Sequence, residues 1–149
     1  MDYEARYEDL SRALEDLSER NRTAPVIVEG ERDRKALEAL GIRGDIRVVN
    51  RGTSLFRLCE DLGRENRGAI ILTDWDERGG RLARQLRDGL AANGVRYDYE
   101  IRARLARLCR KEIAAVEELR AYVERLEDIL RERDRSKPSK RWYARRPPP

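Results

Sequence analysis

Histidine is absent from the 149 residues of this chain, and cysteine occurs only twice, as Cys59 and Cys109. Without histidine there can be no Ser-His-Asp triad, no Cys-His pair and no His-ligated zinc or haem. Two cysteines are too few for a four-cysteine zinc site, and they do not resemble a disulfide framework. The residues left to carry chemistry are carboxylates, Arg, Lys and Tyr, together with any metal ion that they bind.

Long apolar segments are also lacking. No run of 18 apolar residues occurs, so the sequence predicts no membrane-spanning helix. The first twenty residues carry acids and bases throughout and show no secretory signal pattern. We therefore expect a cytoplasmic protein whose cysteines are reduced.

Charge is abundant but unevenly distributed. Charged residues make up 42% of the chain and its net charge is +4, yet residues 135–149 hold six cations and no acid. The same segment holds four of the five prolines, and this composition predicts disorder. Its cations favour a phosphate backbone and its aromatic rings can stack on bases, with Lys140, Arg141 and Trp142 as candidate contacts. The alternative is a tail that only keeps the protein in solution.

Strand-like and helix-like segments alternate along the body of the chain. Apolar residues at helical spacing predict a helix within residues 1–23 and further helices at 31–40, 54–64 and 80–92. Short, β-branched apolar runs predict strands at 25–28, 46–49 and 69–72, with a fourth at 95–100. Repeated strand–helix units predict an α/β, Rossmann-like fold, in which about four parallel strands are flanked by helices on both faces.

A helical pattern resumes after the last predicted strand and runs from 103 to about 133. Its apolar positions recur at spacings of three and four residues, at Val116, Leu119, Val123, Leu126 and Leu130. This face could pack on its own domain, or it could form a short coiled-coil seam in a homodimer. The chain is thus divided into an N-terminal helix (1–23), an α/β domain (24–100), a helical extension (101–134) and a basic tail (135–149).

Acidic residues directly follow two of the predicted strands. Glu29 comes after the first strand, and Asp74 and Asp76 come after the third. Because the carboxyl ends of parallel strands meet at one edge of a sheet, we expect these three carboxylates to converge there. Oxygen ligands of this kind favour Mg²⁺ or Mn²⁺. The alternative for an isolated Asp-x-Asp, in a chain with 29 acids, is a solvated turn.

Glycines and arginines near the same strand ends point to phosphate binding. Gly30 and Gly79 let the backbone approach a ligand closely, next to helix N-termini that favour anions. Arg51, in the turn after the second strand, could contact a phosphate, or its turn could be an ordinary one. A group of arginines after the Asp-x-Asp segment, Arg78, Arg81 and Arg84, could ring the site or simply form a charged helix surface.

The two acidic segments together resemble the Toprim domain. The motifs are Val28-Glu29-Gly30-x-x-Asp33 and, after one strand–helix unit, Asp74-x-Asp76-x-x-Gly79. Toprim domains occur in primases, topoisomerases, overcoming-lysogenization nucleases and a ribonuclease that matures 5S ribosomal RNA. The resemblance covers about residues 24–100 and is greatest to the stand-alone small Toprim proteins, many of them archaeal.

This resemblance implies a fold, a cofactor and a reaction class. Glu29 matches the family glutamate, which acts as a general acid or base and sometimes as a metal ligand, and Asp74 and Asp76 match the Mg²⁺-binding pair. The implied activity is Mg²⁺-dependent processing of phosphodiesters in nucleic acid, with RNA favoured over DNA. The alternative is a non-catalytic RNA-binding or scaffold subunit of a nucleic-acid-processing complex.

The sequence departs from the Toprim pattern at several points. Trp75 stands where many relatives have proline, and Arg78 stands where topoisomerases have a third acid. The chain is too short for the strand-cleaving domain of a topoisomerase or the zinc-binding domain of a primase. Asp98 and Glu100, beside the fourth predicted strand, could instead supply a further ligand.

Overall fold

Four short parallel strands form the centre of the fold in a computed structural model that describes residues 1–49 and 54–134. The strands lie in the order β2-β1-β3-β4, and all three pairings are parallel. Their bounds are β1 Val26–Val28, β2 Ile46–Val48, β3 Ala69–Ile71 and β4 Tyr97–Asp98. This arrangement confirms the predicted α/β, Rossmann-like fold with a four-stranded parallel sheet.

Six α-helices and one 3-10 turn surround the sheet in the described residues. Their bounds are α1 Tyr3–Asn21, α2 Glu31–Ala39, α3 Leu55–Glu65, α4 Glu77–Ala92, α5 Glu100–Cys109, the 3-10 turn Val116–Glu118 and α6 Leu119–Arg133. The side chains of Asp2 and Ser54 accept hydrogen bonds from backbone N–H groups at the starts of α1 and α3. Such caps fix where a helix begins because they satisfy N–H groups that have no partner within the helix.

Apolar side chains cover both faces of the sheet, as the doubly wound pattern predicts. Val26, Val28 and Ile70 point to one face, where they pack with buried residues of α1, α2, α5 and α6. Ile27 and Ile71 point to the other face, where they pack with buried residues of α3 and α4. Because successive side chains of a strand alternate between faces, a fully apolar strand needs helices on both sides.

The helical extension differs from the predicted single helix over 103–133. Helix α5 ends at Cys109, and the chain turns before the 3-10 turn and α6 begin. Within this break the carbonyl oxygens of Ile113 and Ala114 both accept hydrogen bonds from Trp75. These two carbonyls thus bind a distant residue, whereas in a continuous helix they would accept hydrogen bonds from N–H groups of the next turn. Apolar periodicity in the sequence does not reveal such a break.

The seam of the extension is buried within the same chain. Leu119, Val123 and Leu126 are each no more than 1% exposed and belong to the same core as α1 and α2. Of the two arrangements that the sequence allowed, packing on its own domain is the one observed. A homodimer through α6 would have to use the opposite side of that helix.

Two boundaries near the strand ends also differ from prediction. Helix α4 begins at Glu77 rather than 80, because the Asp76 side chain accepts a hydrogen bond from the Gly79 N–H at 2.7 Å and caps the helix. Strand β4 has two residues instead of the expected six. It ends at Asp98, whose side chain accepts a hydrogen bond from the N–H of Glu100, the first residue of α5.

Both cysteines are buried and free. Burial raises the pKa of the Cys59 thiol and raises that of Cys109 to about 12. A neutral, buried thiol is a poor nucleophile, so neither cysteine is a candidate for catalysis. Within the described residues, no helix has the length and apolar character needed to cross a membrane.

Candidate functional site

The loops after two neighbouring strands bring Glu29 and Asp74 together. Glu29 follows β1 and Asp74 lies three residues beyond β3, and these two strands are hydrogen-bonded neighbours. The backbone N–H of Asp74 donates to Oε2 of Glu29 at 2.8 Å, across 45 residues of sequence. The two acidic segments therefore meet at one edge of the sheet through the Glu29 carboxylate and the Asp74 backbone, but Glu29, Asp74 and Asp76 do not form the expected cluster of three carboxylates among the described residues.

Asp33 holds the first acidic segment in place. Its Oδ2 accepts a hydrogen bond from the Gly30 N–H, and its Oδ1 accepts one from the Glu117 N–H, both at 3.0 Å. The residue is 5% exposed. Because both carboxylate oxygens bind backbone amides, Asp33 anchors α2 to the C-terminal extension and has less capacity left for a ligand.

The other three carboxylates each accept a backbone hydrogen bond through one oxygen and leave the second oxygen without a donor from the described residues. Glu29 accepts through Oε2, while Asp74 accepts through Oδ1 from the Val116 N–H at 2.9 Å. Asp76 accepts through Oδ1 from the Gly79 N–H. No residue in the described ranges donates to the remaining oxygens, which are Oε1 of Glu29 and Oδ2 of each aspartate.

Asp74 lies in the most perturbed electrostatic environment of the site. Burial, together with the negative charges of Asp33, Glu29 and Asp76, raises the pKa of its carboxyl from 3.8 to about 7, against the opposing hydrogen bond from Val116. Burial is also the main cause of the raised pKa of Asp33. Carboxylates held close enough to repel one another in this way favour a bound cation.

The carboxylates do not form a finished metal site as they stand. In residues 1–49 and 54–134, no three acidic or cysteine side chains are arranged to hold a metal ion. Asp76 is exposed, and its carboxylate caps α4. A cation shared by Glu29, Asp74 and Asp76 would therefore require their free oxygens to turn toward one another.

The two glycines of the predicted motifs have different roles. A Cβ atom at Gly79 would collide with the carbonyl oxygen of Asp74, so only glycine allows this loop to close on the start of α4. At Gly30 the backbone is extended and a Cβ would meet only Asp33, at 3.9 Å. The N–H groups of both glycines donate to aspartates. Neither amide is therefore available to a phosphate, contrary to the expectation from the sequence.

A buried arginine that the sequence did not single out supports the Asp-x-Asp loop. Nε of Arg102 donates to the backbone and side-chain oxygens of Thr73, both at 3.1 Å, and Nη2 donates to the Asp74 carbonyl at 2.8 Å. The Thr73 hydroxyl donates in turn to the carbonyl of Gly79 at 2.7 Å. With 29 arginines in the chain, no local pattern distinguishes Arg102 from those on the surface.

Trp75 joins the same loop to the C-terminal extension. Its backbone N–H donates to the Ala114 carbonyl at 3.0 Å, and its indole Nε1–H donates to the Ile113 carbonyl at 2.7 Å. Proline, the residue common at this point in the Toprim pattern, has neither donor. The departure noted in the sequence therefore has a structural role, which is to fasten residues 113–114 beside the carboxylates.

Comparisons with known proteins establish the family. No protein-family model matches the chain. A UPF0292 protein of Methanosarcina barkeri is 40% identical over 125 residues, which cover 83% of this chain and 87% of that protein. The chain belongs to the UPF0292 family. A UPF0292 protein of Archaeoglobus fulgidus is 33% identical over 124 residues, covering 83% of this chain and 96% of the relative.

A solved structure supports the fold of this UPF0292 chain. A putative protein from Aquifex aeolicus superposes with a TM-score of 0.64 at 26% sequence identity. The match covers 72% of this chain and 95% of that protein. Almost the whole of the solved protein thus has the same arrangement of strands and helices.

Other candidates in the UPF0292 chain are paired with a cation or lie outside the described residues. Asp98 and Glu100 both pair with Arg20, at 2.9 and 2.8 Å, and so are committed to an ion-pair group at the end of α1. Four predicted phosphate or nucleic-acid contacts lie outside the described residues: Arg51, Lys140, Arg141 and Trp142. Their roles stay predictions.

Proposed function

We propose that this UPF0292 chain is a Toprim-type, Mg²⁺-dependent nuclease that acts on nucleic acid, with RNA favoured over DNA. The observation that carries the proposal is the meeting of Glu29 and Asp74 at the ends of neighbouring parallel strands, with the Asp74 pKa raised by burial and, to a smaller extent, by the surrounding acids. Acids whose pKa is raised by neighbouring charges are typical of functional sites. Reduced cysteines and the lack of a membrane helix in the described residues fit a cytoplasmic enzyme.

The donors present suit a hard divalent cation. Glu29, Asp74 and Asp76 offer carboxylate oxygens only, which is the set that Mg²⁺ and Mn²⁺ prefer. Each keeps one oxygen that no described residue occupies. When bound, the cation would neutralise negative charge on a phosphodiester and lower the repulsion among the three acids.

The residues of the chain itself would supply positioning and proton transfer. Glu29 is fixed through Oε2 by the Asp74 N–H, so its Oε1 is held at the site and can accept the proton of an attacking water. Arg102 and Thr73 hold the backbone of the Asp-x-Asp loop. The backbone of this loop is therefore pre-organised by hydrogen bonds that do not depend on substrate, whereas the free carboxylate oxygens would still have to turn toward a cation.

A cleavage assay with isosteric variants tests the proposal. Glu29→Gln and Asp74→Asn remove a charge while keeping an oxygen that accepts the backbone N–H. Asp88→Asn makes the same change at a carboxylate that is 75% exposed on α4. We expect Mg²⁺- or Mn²⁺-dependent cleavage of RNA by the wild type and by Asp88→Asn, and loss of cleavage in the other two. Cleavage that survives both site variants would refute the nuclease proposal.

The second candidate function is binding of RNA without catalysis, as a scaffold for a processing complex. The observation that favours it is that no three acids in the described ranges are arranged to hold a metal. Under this alternative, RNA affinity would persist in chelator, and it would fall when residues 135–149 are removed. A tail deletion that leaves RNA affinity unchanged would exclude the predicted role of the basic tail.

A further inference from the structure

Two arginine side chains from different helices meet over Gly80, in the first turns of α4. A methyl group built on Gly80 would lie 3.7 Å from Nη1 of Arg84 and 3.8 Å from Nη2 of Arg102. Because residue 80 has no side chain, nothing from this position fills the space between the two guanidinium groups. We call this space the Gly80 notch.

The Arg102 guanidinium is buried without a carboxylate partner in the described part of the chain. The residue is 8% exposed, and its hydrogen bonds go to oxygens of Thr73 and to the backbone carbonyl of Asp74. A guanidinium has five N–H donors, and none of the described residues accepts from Nη1. The guanidinium also lies over the Tyr99 ring, 5.7 Å from its centroid, but no ion pair neutralises it, so an anionic ligand would be a stabilising partner for its remaining N–H groups.

Arg84 differs from the neighbouring arginines of its own helix. Arg81 pairs with Glu77 and Arg87 pairs with Asp88, at 3.3 and 3.4 Å. Among residues 1–49 and 54–134 no acid lies within ion-pair distance of Arg84, although it is exposed and free to turn away from Arg102. It therefore lies on the same side of Gly80 as a second cation, with no described acid between them to screen their repulsion.

An anion between the two groups would remove this repulsion. The planar N–H fork of arginine fits the oxygens of a phosphate and binds them through two hydrogen bonds. Arg102 also holds the Asp74 carbonyl, so the Gly80 notch adjoins the backbone of the Asp-x-Asp loop. We propose that Arg84 and Arg102 bind a phosphate group of nucleic acid in this notch. The identification of the ligand as nucleic acid rests on the proposed function, whereas the notch and its two cations do not.

The substitution Gly80→Ala tests the notch without removing a charge. Distances of 3.7 and 3.8 Å are ordinary van der Waals contacts, so alanine fits there, and it favours a helix more than glycine does. We therefore expect Gly80→Ala to melt at the same temperature as the wild type or higher, while it excludes a phosphate from between the guanidinium groups.

Binding is measured by fluorescence anisotropy in chelator, at fixed ionic strength. The probes are 3′-labelled single-stranded RNAs of about twelve nucleotides, with either a 5′-phosphate or a 5′-hydroxyl. We expect Gly80→Ala and Arg84→Ala each to weaken binding about tenfold. The charge-matched control Arg87→Ala, on the same helix, should weaken it less than about twofold, because a cation that lies outside the notch and pairs with Asp88 acts only through the screened field.

The outcomes separate the possible sources of the phosphate and separate this inference from the nuclease proposal. If the variants weaken binding only of the 5′-phosphorylated probe, the notch binds a terminal phosphate, and if both probes are affected equally, it binds an internal phosphodiester. Affinity that is unchanged in Gly80→Ala, or reduced equally in Arg84→Ala and Arg87→Ala, would overturn the inference. Because no metal is present in this assay, its result is independent of whether Glu29 and Asp74 support cleavage.

Discussion

Replacing Asp74 by asparagine removes one negative charge from the site while keeping an oxygen that can accept the Val116 N–H. The folded-state pKa of this carboxyl is about 7, above the reference value of 3.8, so the folded protein binds the proton more tightly than the unfolded chain does. Stability is therefore lost as the pH rises from 3.8 through 7, and the whole penalty is present above pH 7. Asp74→Asn has no charge at this position, so its stability does not fall in this way.

The stability that Asp74→Asn gains can be worked out from the pKa shift of Asp74. Each pKa unit corresponds to ~1.36 kcal/mol, so a fully buried carboxyl with this shift would destabilise the fold by ~4 kcal/mol. Asp74 is only half-buried and water screens its charge, so we expect ~1–2 kcal/mol. For a protein of this size, that difference raises the melting temperature of Asp74→Asn by about 2 to 8 °C.

The assay is a thermal melt in chelator at about pH 8 and about pH 4, followed by the same melts with Mg²⁺. In chelator, Asp74→Asn should be the more stable protein near pH 8, and most of its advantage should disappear near pH 4, where the wild-type carboxyl is protonated in the folded state. Added Mg²⁺ should stabilise the wild type and have little effect on the variant. A variant that is less stable than the wild type in chelator near pH 8 would refute the electrostatic reasoning, and an equal response to Mg²⁺ would remove Asp74 from the set of ligands.

Three further predictions follow, two on the framework of the site and one on an ion-pair group elsewhere in the fold. Gly79→Ala should lower the melting temperature sharply, because its methyl group collides with the carbonyl of Asp74; a normal melt would contradict the close packing seen here. Trp75→Phe removes the indole hydrogen bond to the Ile113 carbonyl and should lower the stability by about 1–2 kcal/mol. Amide hydrogen exchange in residues 110–118 should become faster, and unchanged exchange would contradict this role of Trp75. Arg47 pairs with Asp45 and Glu65, each at 2.7 Å, and lowers the pKa of both carboxyls. These ion pairs stabilise the fold above about pH 4.5 and lose their effect as the pH falls and the acids are protonated. Arg47→Met should therefore flatten the acid limb of the stability curve, and an unaltered limb would exclude a stabilising role for these pairs.

Much of the fold follows from local patterns in the sequence. The β-branched runs are short and apolar because their strands are covered on both faces, and this periodicity is visible without a structure. The position of Glu29 and Asp74 at strand ends also followed from sequence, because the ends of parallel strands share one edge of the sheet. The Toprim assignment and the metal remain predictions that the experiments above address.

The details of the site depended on contacts that sequence spacing does not encode. The Asp74 carboxylate accepts a hydrogen bond from Val116, 42 residues away, and the helical extension breaks at residues 110–115 where its carbonyls bind Trp75. Arg102 is one of 29 arginines, and among those in residues 1–49 and 54–134 it stands out by its burial against the loop after β3. Hydrophobic periodicity and strand-end acids are local properties and can be read along the chain. Which amide satisfies a carboxylate, and which cation is buried beside it, is decided only when distant segments pack together.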